Sequence, residues 1–561
     1  MPSPSFLRRR DAATPVALSA DACPRLAPGV TFERAGDGGV WIASIHGVPS
    51  SRVSGAVVDL LGAMDGGAAL RDLHRRFDSA GSFESFLHLV QRFQASGLLG
   101  DAATPPPGRL TYRPPFTMQI ATLRAPALFD RLERVLIPVP PRAALAIVAV
   151  LLGAGVLAAV LQAPELRRVL TTPIPLSGLV CLVATLSLLT ALHESAHGVT
   201  LTRFGGRPRR AGFMLFYLTP AFFVDVTDGW RLPGRRRRVA IALAGPAVHA
   251  VVSAIALIAA LALPPSTIRQ TVLLLAISCT AIVIVNLIPF VRFDGYIALM
   301  CALDEPNLRA RAIRDGSAFL TRVLFGGRPT DRSLDRWWSV PFGLACLIAP
   351  VVLVVYTVSR LVRALAGGGP VVGVLVVAVE AAVVLVGVLL VARALRRIRA
   401  SGVARLRFFS VVTALVASVG IAGAMIPVQV TATFGFTTQA GRVVLLRGGE
   451  AVEATMPDGA PVVLLSNGVL ANERVGVATL RALPPQPTRV PLDALFPVTA
   501  DDVSVAAVIV AEAETPAARG SLPQTGQARV ELGVSNLWRA LWATGVELPL
   551  SSLHSGEIGK E

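Results

Sequence analysis

The chain carries little charge and almost no lysine. Only 16% of its 561 residues are charged, and the formal net charge of +17 comes almost entirely from arginine, because Lys560 is the one lysine. A nucleic-acid-binding protein would gather such arginines on one soluble face, together with a recognisable motif. Here they stand in short blocks between apolar runs. The sequence therefore predicts no nucleic-acid partner.

Cysteine is also scarce. The chain contains no close pair among its five cysteines, which are Cys23, Cys181, Cys279, Cys301 and Cys346. This spacing predicts neither a disulfide framework nor a thiolate zinc site. The N-terminus lacks an apolar segment followed by a small-residue cleavage site, so we expect the first hundred residues to remain in the cytoplasm.

Apolar sequence is abundant, at 53% of the chain, and it comes in long runs. A helix needs roughly 20 apolar residues to cross a bilayer. Seven runs are long enough, and we predict spans at about 143–162, 176–198, 239–263, 270–290, 341–359, 371–392 and 408–427.

The arginines predict how these spans are oriented. The loops after the second, fourth and sixth spans hold nine, eight and six arginines, whereas those after the first, third and fifth hold two, one and two. Positive charge marks the cytoplasmic side of a span. We therefore expect a multi-pass protein of the cell membrane with a cytoplasmic N-terminus and an extracytoplasmic C-terminal domain.

The stretch "HESAH" near the end of the second span places ionisable groups close to lipid. His193 and His197 are four residues apart, so they share one face of a helix and can bind one Zn²⁺, while Glu194 can take a proton from a zinc-bound water. The motif is short and also occurs by chance. Ionisable groups in a membrane segment are costly and usually functional.

A catalytic zinc needs a third protein ligand. The best candidate is Asp294 in "NLIPFVRFDGY", where Pro289 breaks the fourth span and Gly295 permits a tight turn. These residues would let the carboxylate point back along the membrane. The alternative is that Asp294 only caps the next helix.

Taken together, the two motifs resemble the site-2 protease family of intramembrane zinc metalloproteases over roughly residues 120–300. The resemblance implies that His193, His197 and Asp294 bind zinc and that Glu194 is the general base. It also implies that Asn286 helps to hold the substrate backbone. Phe293 stands where that family usually has leucine, which is an apolar exchange.

The stretch "GFMLFYLTPAFFVDVTDGW" between the motifs is apolar and aromatic but too interrupted to span. We predict a strand or re-entrant hairpin near the metal, able to pair with an extended substrate, and we name Phe223 and Asp225 as candidate substrate-binding residues. An interfacial loop with an aromatic belt is the alternative. As to metal binding, we expect Asp225 and Asp228 to be loop-capping groups rather than ligands.

Two further polar residues lie within predicted spans. His249 in "AGPAVHAVVS" stands where relatives of the family often have asparagine, and it can bond across helices or lie near the site. Glu380 lies midway along the sixth span, where it can serve substrate or water access or make a polar contact between helices.

Residues 28–101 read as a separate winged-helix-like α+β domain. "GVTFERAGDGGVWIAS" predicts a hairpin, and helices are predicted around "SRVSGAVVDLLGAM", "ALRDLHRRF" and "SFESFLHLVQRFQASGLL". The segment resembles the PqqD-like domains of peptide natural product pathways, which implies recognition of a precursor's leader peptide. A DNA-binding winged helix is the alternative, but the last helix has few basic residues to meet phosphates.

Residues 428–561 differ in character, with thirteen acidic and nine basic residues. Short Val-rich runs alternate with turn residues, which predicts a β-rich domain. Its closing stretch, "TGQARVELGVSNLWRALWATGV", is similar to the β-barrel of secretion adaptor proteins.

The fold class predicted is a polytopic α-helical membrane protein of about seven spans, with an N-terminal winged-helix-like domain and a C-terminal β-rich domain. We divide the chain into a disordered tail (1–27), the PqqD-like domain (28–101), a linker (102–142), the catalytic membrane core (143–300), a cytoplasmic loop with further spans (301–427) and the β-rich domain (428–561).

The predicted function is that of an intramembrane zinc metalloprotease that matures a ribosomally made precursor peptide by Glu-assisted attack of zinc-bound water. The chain resembles the site-2-type proteases with PqqD-like domains that serve peptide natural products, including the daptide class. Its partners are the precursor peptide, the lipid bilayer and a peptide exporter. One alternative is regulated cleavage of a transmembrane anti-sigma factor. Another is a non-proteolytic peptide-binding or export partner.

Overall fold

The structure is a computed structural model of the full 561-residue chain. It describes residues 19–34, 40–45, 48–79, 81–100, 110–113, 117–122, 124–135, 140–216, 219–326, 332–365, 370–439, 442–448, 458–514 and 522–547.

The chain forms two compact units. The first comprises Met1–Pro140, Leu188–Val248 and Ile297–Asp304, and the second comprises Pro141–Ser187, His249–Tyr296 and Glu305–Glu561.

The first unit begins with a small α+β domain. Its elements are β1 (Val30–Arg34), β2 (Val40–Ile45), β3 (Val48–Ser54), α1 (Gly55–Gly62), α2 (Leu70–Phe77) and α3 (Phe83–Ala95). The strands form an antiparallel sheet in the order β1-β2-β3, and the helices bury Leu61, Met64, Leu70 and Phe86. The predicted hairpin and the second and third predicted helices are confirmed, while the "GDGG" turn lies outside the described residues.

The first predicted helix is also present, as Gly55–Gly62, but three details of this region differ from the expectations. The first helix starts at Gly55, because Val48–Ser54 pairs with β2 as a third strand. Within the expected disordered tail, residues 19–27 are ordered: Leu26 bridges to Leu99, and its amide donates to the Met64 carbonyl. The expected linker holds strands that belong to a second sheet, described below.

The membrane part follows in chain order. Up to the end of the second span, the elements are β4 (Leu110–Arg113), β5 (Thr117–Thr122), α4 (Ala125–Val135), α5 (Pro141–Leu161), α6 (Ala163–Thr171), β6 (Ile174–Pro175) and α7 (Leu176–Arg203). The elements after it are β7 (Ala211–Phe216), β8 (Thr219–Val224), α8 (Arg235–Ala262), α9 (Thr267–Asn286), α10 (Asp294–Leu303), α11 (Leu308–Phe325), α12 (Ser339–Leu365), α13 (Pro370–Ala400) and α14 (Arg405–Met425).

Seven helices in the described part of the chain are long and apolar enough to cross a membrane, namely α5, α7, α8, α9, α12, α13 and α14. Their positions confirm the seven spans predicted from hydropathy. Their most apolar 18-residue windows have a mean hydropathy of 1.9 to 3.0, which is typical of helices surrounded by lipid and by one another.

A second antiparallel sheet, in the order β4-β5-β7-β8, belongs to the first unit. The β7–β8 hairpin pairs Ala211 with Val224 and Phe213 with Phe222. The stretch between the two sequence motifs is therefore a hairpin, as predicted, and β8 is the last strand of the sheet in the described residues.

The C-terminal part of the second unit is β-rich, as predicted. Its elements are β9 (Pro427–Gln439), β10 (Arg442–Gly448), β11 (Pro461–Leu465), β12 (Arg474–Pro491), β13 (Val498–Thr499), β14 (Ser504–Glu514), β15 (Thr525–Asn536) and α15 (Leu537–Trp542). Six strands close into a barrel in the order β10-β14-β12-β11-β15-β9. Alternating residues such as Phe436, Leu464 and Val530 fill the interior, and closure pairs both sides of each of these six strands.

The barrel is attached to the segment that precedes the second span. Strand β13 pairs in parallel with β6, joining Val498 to Ile174. The amides of Leu470 and Ala471 also donate to the Leu170 carbonyl at the end of α6. These contacts fix the barrel to the loop between α5 and α7.

Candidate metal centre

The two histidines of the "HESAH" motif lie one turn apart on α7. Both imidazoles are buried, and their Nε2 atoms are 3.3 Å apart. The four-residue spacing on a helix explains why the rings meet. The helix thus presents two ring nitrogens to one point, as the sequence predicted.

The backbone of α8 determines the protonation of one ring. The Nδ1 atom of His197 lies 2.6 Å from the carbonyl oxygen of Ile241. Because a carbonyl can only accept a hydrogen bond, Nδ1 must carry the proton, and in the neutral ring Nε2 keeps its lone pair. Metal-binding histidines are commonly oriented by such a bond from the other ring nitrogen.

Asp294 completes a group of three. One ligand atom from each of His193, His197 and Asp294 lies within 4.8 Å of the others. Helix α9 ends at Asn286, the chain turns through Pro289, and Asp294 is the first residue of α10. Asp294 therefore starts the next helix and also lies close to the two imidazoles.

Gly295 has a different role from the one predicted. It lies in the first turn of α10 rather than in a tight turn, and a Cβ atom at this position would overlap the backbone of Leu287. A residue without a side chain is therefore needed because the two backbone segments approach closely.

The donor set and its spacing fit a zinc ion. Two nitrogens bound tetrahedrally at about 2.05 Å from one ion would be roughly 3.3 Å apart, and the Nε2 atoms of His193 and His197 have this separation. Two imidazoles and one carboxylate leave a fourth position for substrate chemistry, as in catalytic rather than structural zinc sites.

Gly245 is a site residue that the sequence analysis did not assign. It lies in α8, and a Cβ atom there would overlap the Nε2 atoms of both His193 and His197. A glycine followed by Pro246 inside an apolar helix was the available signal. Only glycine lets α8 lie this close to the paired imidazoles.

Glu194 connects the metal group with the β7–β8 hairpin. Its Oε2 atom accepts a hydrogen bond of 3.2 Å from the backbone amide of Val224, at the end of β8. The carboxylate that follows the first histidine therefore lies at the free edge of the last strand. The Glu194 carboxylate thus lies beside both the metal group and the edge of β8, where it could act on a peptide paired with that strand.

The register of β8 determines which of its backbone groups face outward. The amide of Asp225 donates to the Arg210 carbonyl, continuing the pairing towards β7, whereas the Val224 amide points away to Glu194. Because outward and inward groups alternate along an antiparallel edge, the Phe222 amide and carbonyl also face the free edge. Pro220 has no amide hydrogen to offer.

The two candidate substrate-binding residues, Phe223 and Asp225, both make contacts within the chain. The Phe223 ring lies 5.9 Å from the Arg210 guanidinium, whereas Phe222 and Phe213 form an exposed edge-to-face pair. Asp225 accepts hydrogen bonds from the amide and hydroxyl of Thr227, so it caps the turn Thr227–Arg231. The exposed aromatic surface is thus formed by Phe213 and Phe222, which the sequence analysis did not name.

The remaining candidates lie on α8, α9 and α13. Among the described residues, the group consists of His193, His197 and Asp294 and includes neither His249 nor Glu380. His249 is buried in α8 one turn after Gly245, and Glu380 lies in α13 beside Gly545. Asn286 is half-buried as the last residue of α9.

Comparison of the chain with protein-family models, with curated proteins and with solved structures gives no match.

Proposed function

We propose that this protein is an intramembrane zinc metalloprotease, similar in its site to the site-2 proteases. The observation that carries the proposal is the convergence of His193, His197 and Asp294, with their ligand atoms within 4.8 Å of one another. His193 and His197 lie in the second span, and Asp294 lies eight residues after Asn286, the last residue of the fourth. Ionisable groups are costly in such surroundings and are usually kept for a function.

The residues around the metal group supply the other parts of a hydrolytic site. A bound zinc ion supplies a Lewis acid that lowers the pKa of water and polarises a peptide carbonyl. Glu194 accepts the proton of the attacking water and delivers it to the amide nitrogen as the peptide C–N bond breaks. The outward amide and carbonyl of Phe222 hold the substrate as an added strand, with its scissile bond beside Glu194.

The substrate class we propose is a ribosomally made, membrane-associating precursor peptide. Among the described strands of the N-terminal domain, β1 lies at an edge of the sheet, and beside it lies a groove of about 720 Å³ lined by residues of β1, α1 and the end of α2, including Phe32, Asp59, Arg76 and Phe77. An edge strand beside a groove with apolar and charged walls suits an extended peptide. This supports the proposed PqqD-like role in capturing a leader segment.

The captured peptide would be close to the hairpin. Arg231, at the end of the turn that follows β8, lies 2.9 Å from Glu33 of β1 and also bonds to Ser44 of β2. Arg231 and Arg209 both lie near Asp228, which anchors this turn. The N-terminal sheet is therefore attached to the segment that continues the substrate-binding edge.

Two contacts support the proposed membrane topology. The N-terminal sheet contacts the loop after the second span through Arg231, and the barrel contacts the loop after the first span through β6. With seven spans, the chain before the first span is on the same side as the loop after the second. The chain after the seventh is on the same side as the loop after the first. Arginine distribution makes the first of these sides cytoplasmic.

The experiment that tests the proposal compares wild type with Glu194→Gln. Both proteins are purified in detergent and incubated with a candidate precursor peptide, and the products are read by mass spectrometry. Because general-base catalysis contributes about 10²–10⁴-fold, we expect cleavage to fall by that factor while zinc content is retained. Equal cleavage by both would favour a non-proteolytic peptide-binding role. Cleavage of a transmembrane anti-sigma factor but not of precursor peptides would favour regulated proteolysis.

A further inference from the structure

The barrel is followed by a short apolar segment that runs back beside the spans. It consists of α15 and the π-helical turn Ala543–Glu547, and it reads "LWRALWATGVE". Trp538, Leu541 and Trp542 are 44%, 53% and 57% exposed. Such large exposed apolar side chains next to membrane spans indicate contact with lipid.

Two hydrogen bonds attach α15 to the end of α14. The Leu537 amide donates to the Ile426 carbonyl at 3.1 Å, and the indole Nε1 of Trp538 donates to the Gly420 carbonyl at 2.9 Å. Gly420 lies five residues before Met425, the last residue of α14, which corresponds to about 7–8 Å along the helix axis. The first turn of α15 is therefore already below the end of the seventh span.

The π-helical turn goes further, to α13. Gly545 lies against the carboxyl group of Glu380, where a Cβ atom on the glycine would be 2.6 Å from Oε2. Glu380 lies ten residues after Pro370, the start of α13, so its depth along that helix is about 15 Å. This is near the middle of a hydrocarbon layer of about 30 Å.

The depths of the Trp538 and Gly545 contacts indicate the direction in which the segment runs through the membrane. Helix α13 crosses the membrane once and α14 crosses back. The start of α13 and the end of α14 are therefore on the same side of the membrane. Trp538 contacts α14 at the shallower level and Gly545 contacts α13 at the deeper one. The segment therefore descends from the barrel side towards the bilayer centre.

We propose that Leu537–Glu547 is a re-entrant membrane element, whose exposed face binds lipid acyl chains and whose tip is held by Glu380. Its charged residues are Arg539 in the first turn and Glu547 at the end, so the six residues from Ala540 to Gly545 are uncharged. Arg539 is close enough to the surface for its guanidinium to reach the headgroups. Non-helical backbone at membrane depth needs protein cover, and α13 and α14 supply it on one side.

This inference assigns Glu380 a role that the protease proposal does not use. A carboxyl group in the middle of a span is costly without a polar neighbour. Gly545 of the π-helical turn lies against this carboxyl group and shields it from lipid. Glu380 thus holds the C-terminal segment in place, and the barrel gains an anchor in the same leaflet.

Quenching of tryptophan fluorescence by brominated lipids tests the proposal. The full chain is reconstituted in phosphatidylcholine vesicles with or without bromine on the acyl chains, as wild type, Trp542→Phe and Trp41→Phe. The difference between wild type and each variant isolates one tryptophan of the six. We expect bromine to quench most of the Trp542 emission and little of the emission of Trp41, which lies in β2 of the N-terminal domain.

The opposite pattern would overturn the proposal: Trp542 emission that brominated lipids leave unchanged and that aqueous iodide quenches. A second pair of variants tests the tip. Gly545→Val places a side chain against Glu380, whereas Gly387→Val adds the same side chain to α13 where no atom lies within 4 Å. We expect only Gly545→Val to reduce the lipid quenching of Trp542. Unchanged quenching in Gly545→Val would refute the role of Glu380.

Discussion

The substitution Gly245→Ala tests most directly how α8 packs against the two imidazoles of the metal centre. A Cβ atom on Gly245 would lie 2.6 Å from His193 Cδ2, whereas ordinary van der Waals contact begins at 3.4 Å. The imidazole must then retreat by about 0.8 Å, while metal–ligand distances tolerate only about 0.2 Å. Removing an outer hydrogen-bonding partner of a ligand already weakens metal affinity by about 10–100-fold. Because this change displaces ligands, we expect zinc affinity to fall by at least about 100-fold, or roughly 2.7 kcal/mol.

The assay is zinc content per chain, measured by mass spectrometry after equilibration with zinc buffers over a range of free zinc. Gly153→Ala is the matched control, because it makes the same change in span α5, where no atom lies within 4 Å of the added Cβ. Alanine favours a helix over glycine by about 1 kcal/mol, so general helix stability would rise in both variants. Wild-type zinc affinity in Gly245→Ala would refute the close approach of α8 to the imidazoles.

Three further predictions follow from the hairpin, the core and the metal. Phe222→Pro removes one outward amide from β8, and we expect about a tenfold loss in kcat/KM for peptide cleavage, whereas Phe222→Ala keeps that amide and should lose less. Phe129→Ala empties a buried position of α4 that packs against α7 at Gly198, and we expect a loss of about 3–5 kcal/mol in stability, seen as a lower Tm. Chelation of zinc should lower the Tm of wild type, and zinc at about 100 times its Kd should restore about 2.7 kcal/mol. The same treatment should leave the Tm of His193→Ala unchanged.

The membrane spans and the β-rich C-terminal region could be predicted because their signals are local. A run of about 20 apolar residues has few alternatives to a membrane helix. Val-rich runs separated by turn residues likewise indicate strands, and "GRVVLLRG" and "APVVLLS" become β10 and β11. The closure of the barrel is not local, because β9 pairs with the adjacent β10 on one side and with β15, about a hundred residues away, on the other.

The grouping of His193, His197 and Asp294 could be predicted from the sequence, but the surroundings of this group could not. His193, Glu194 and His197 form a motif with its own helical spacing, and Asp294 follows a proline that breaks a span. The contact of Gly245 with the imidazoles depends on how α8 crosses α7. The spacing of residues in the sequence does not predict this crossing. The bond from the Val224 amide to Glu194 likewise depends on the register of the hairpin.

The start of the first helix shows how strand pairing can override a helical pattern. Val53, Val57, Leu60 and Leu61 have helical spacing, but Val53 pairs with Trp41 in the N-terminal sheet. The β-branched residues Val48 and Val53 suit a strand, and pairing with β2 decides between the two structures. Strand β5 was missed for a similar reason, since its partner β7 lies about 90–100 residues away, and β4 pairs only with β5.

The central claim is that two imidazoles of α7 and the carboxylate of Asp294 hold one zinc ion. The most direct measurement is zinc bound per chain at fixed free zinc in wild type, Asp294→Ala and Asp225→Ala. The third protein controls for loss of an aspartate in the membrane part, because Asp225 only caps a turn. We predict one zinc per chain in wild type and Asp225→Ala and much less in Asp294→Ala. Wild-type zinc stoichiometry and affinity in Asp294→Ala would contradict the account.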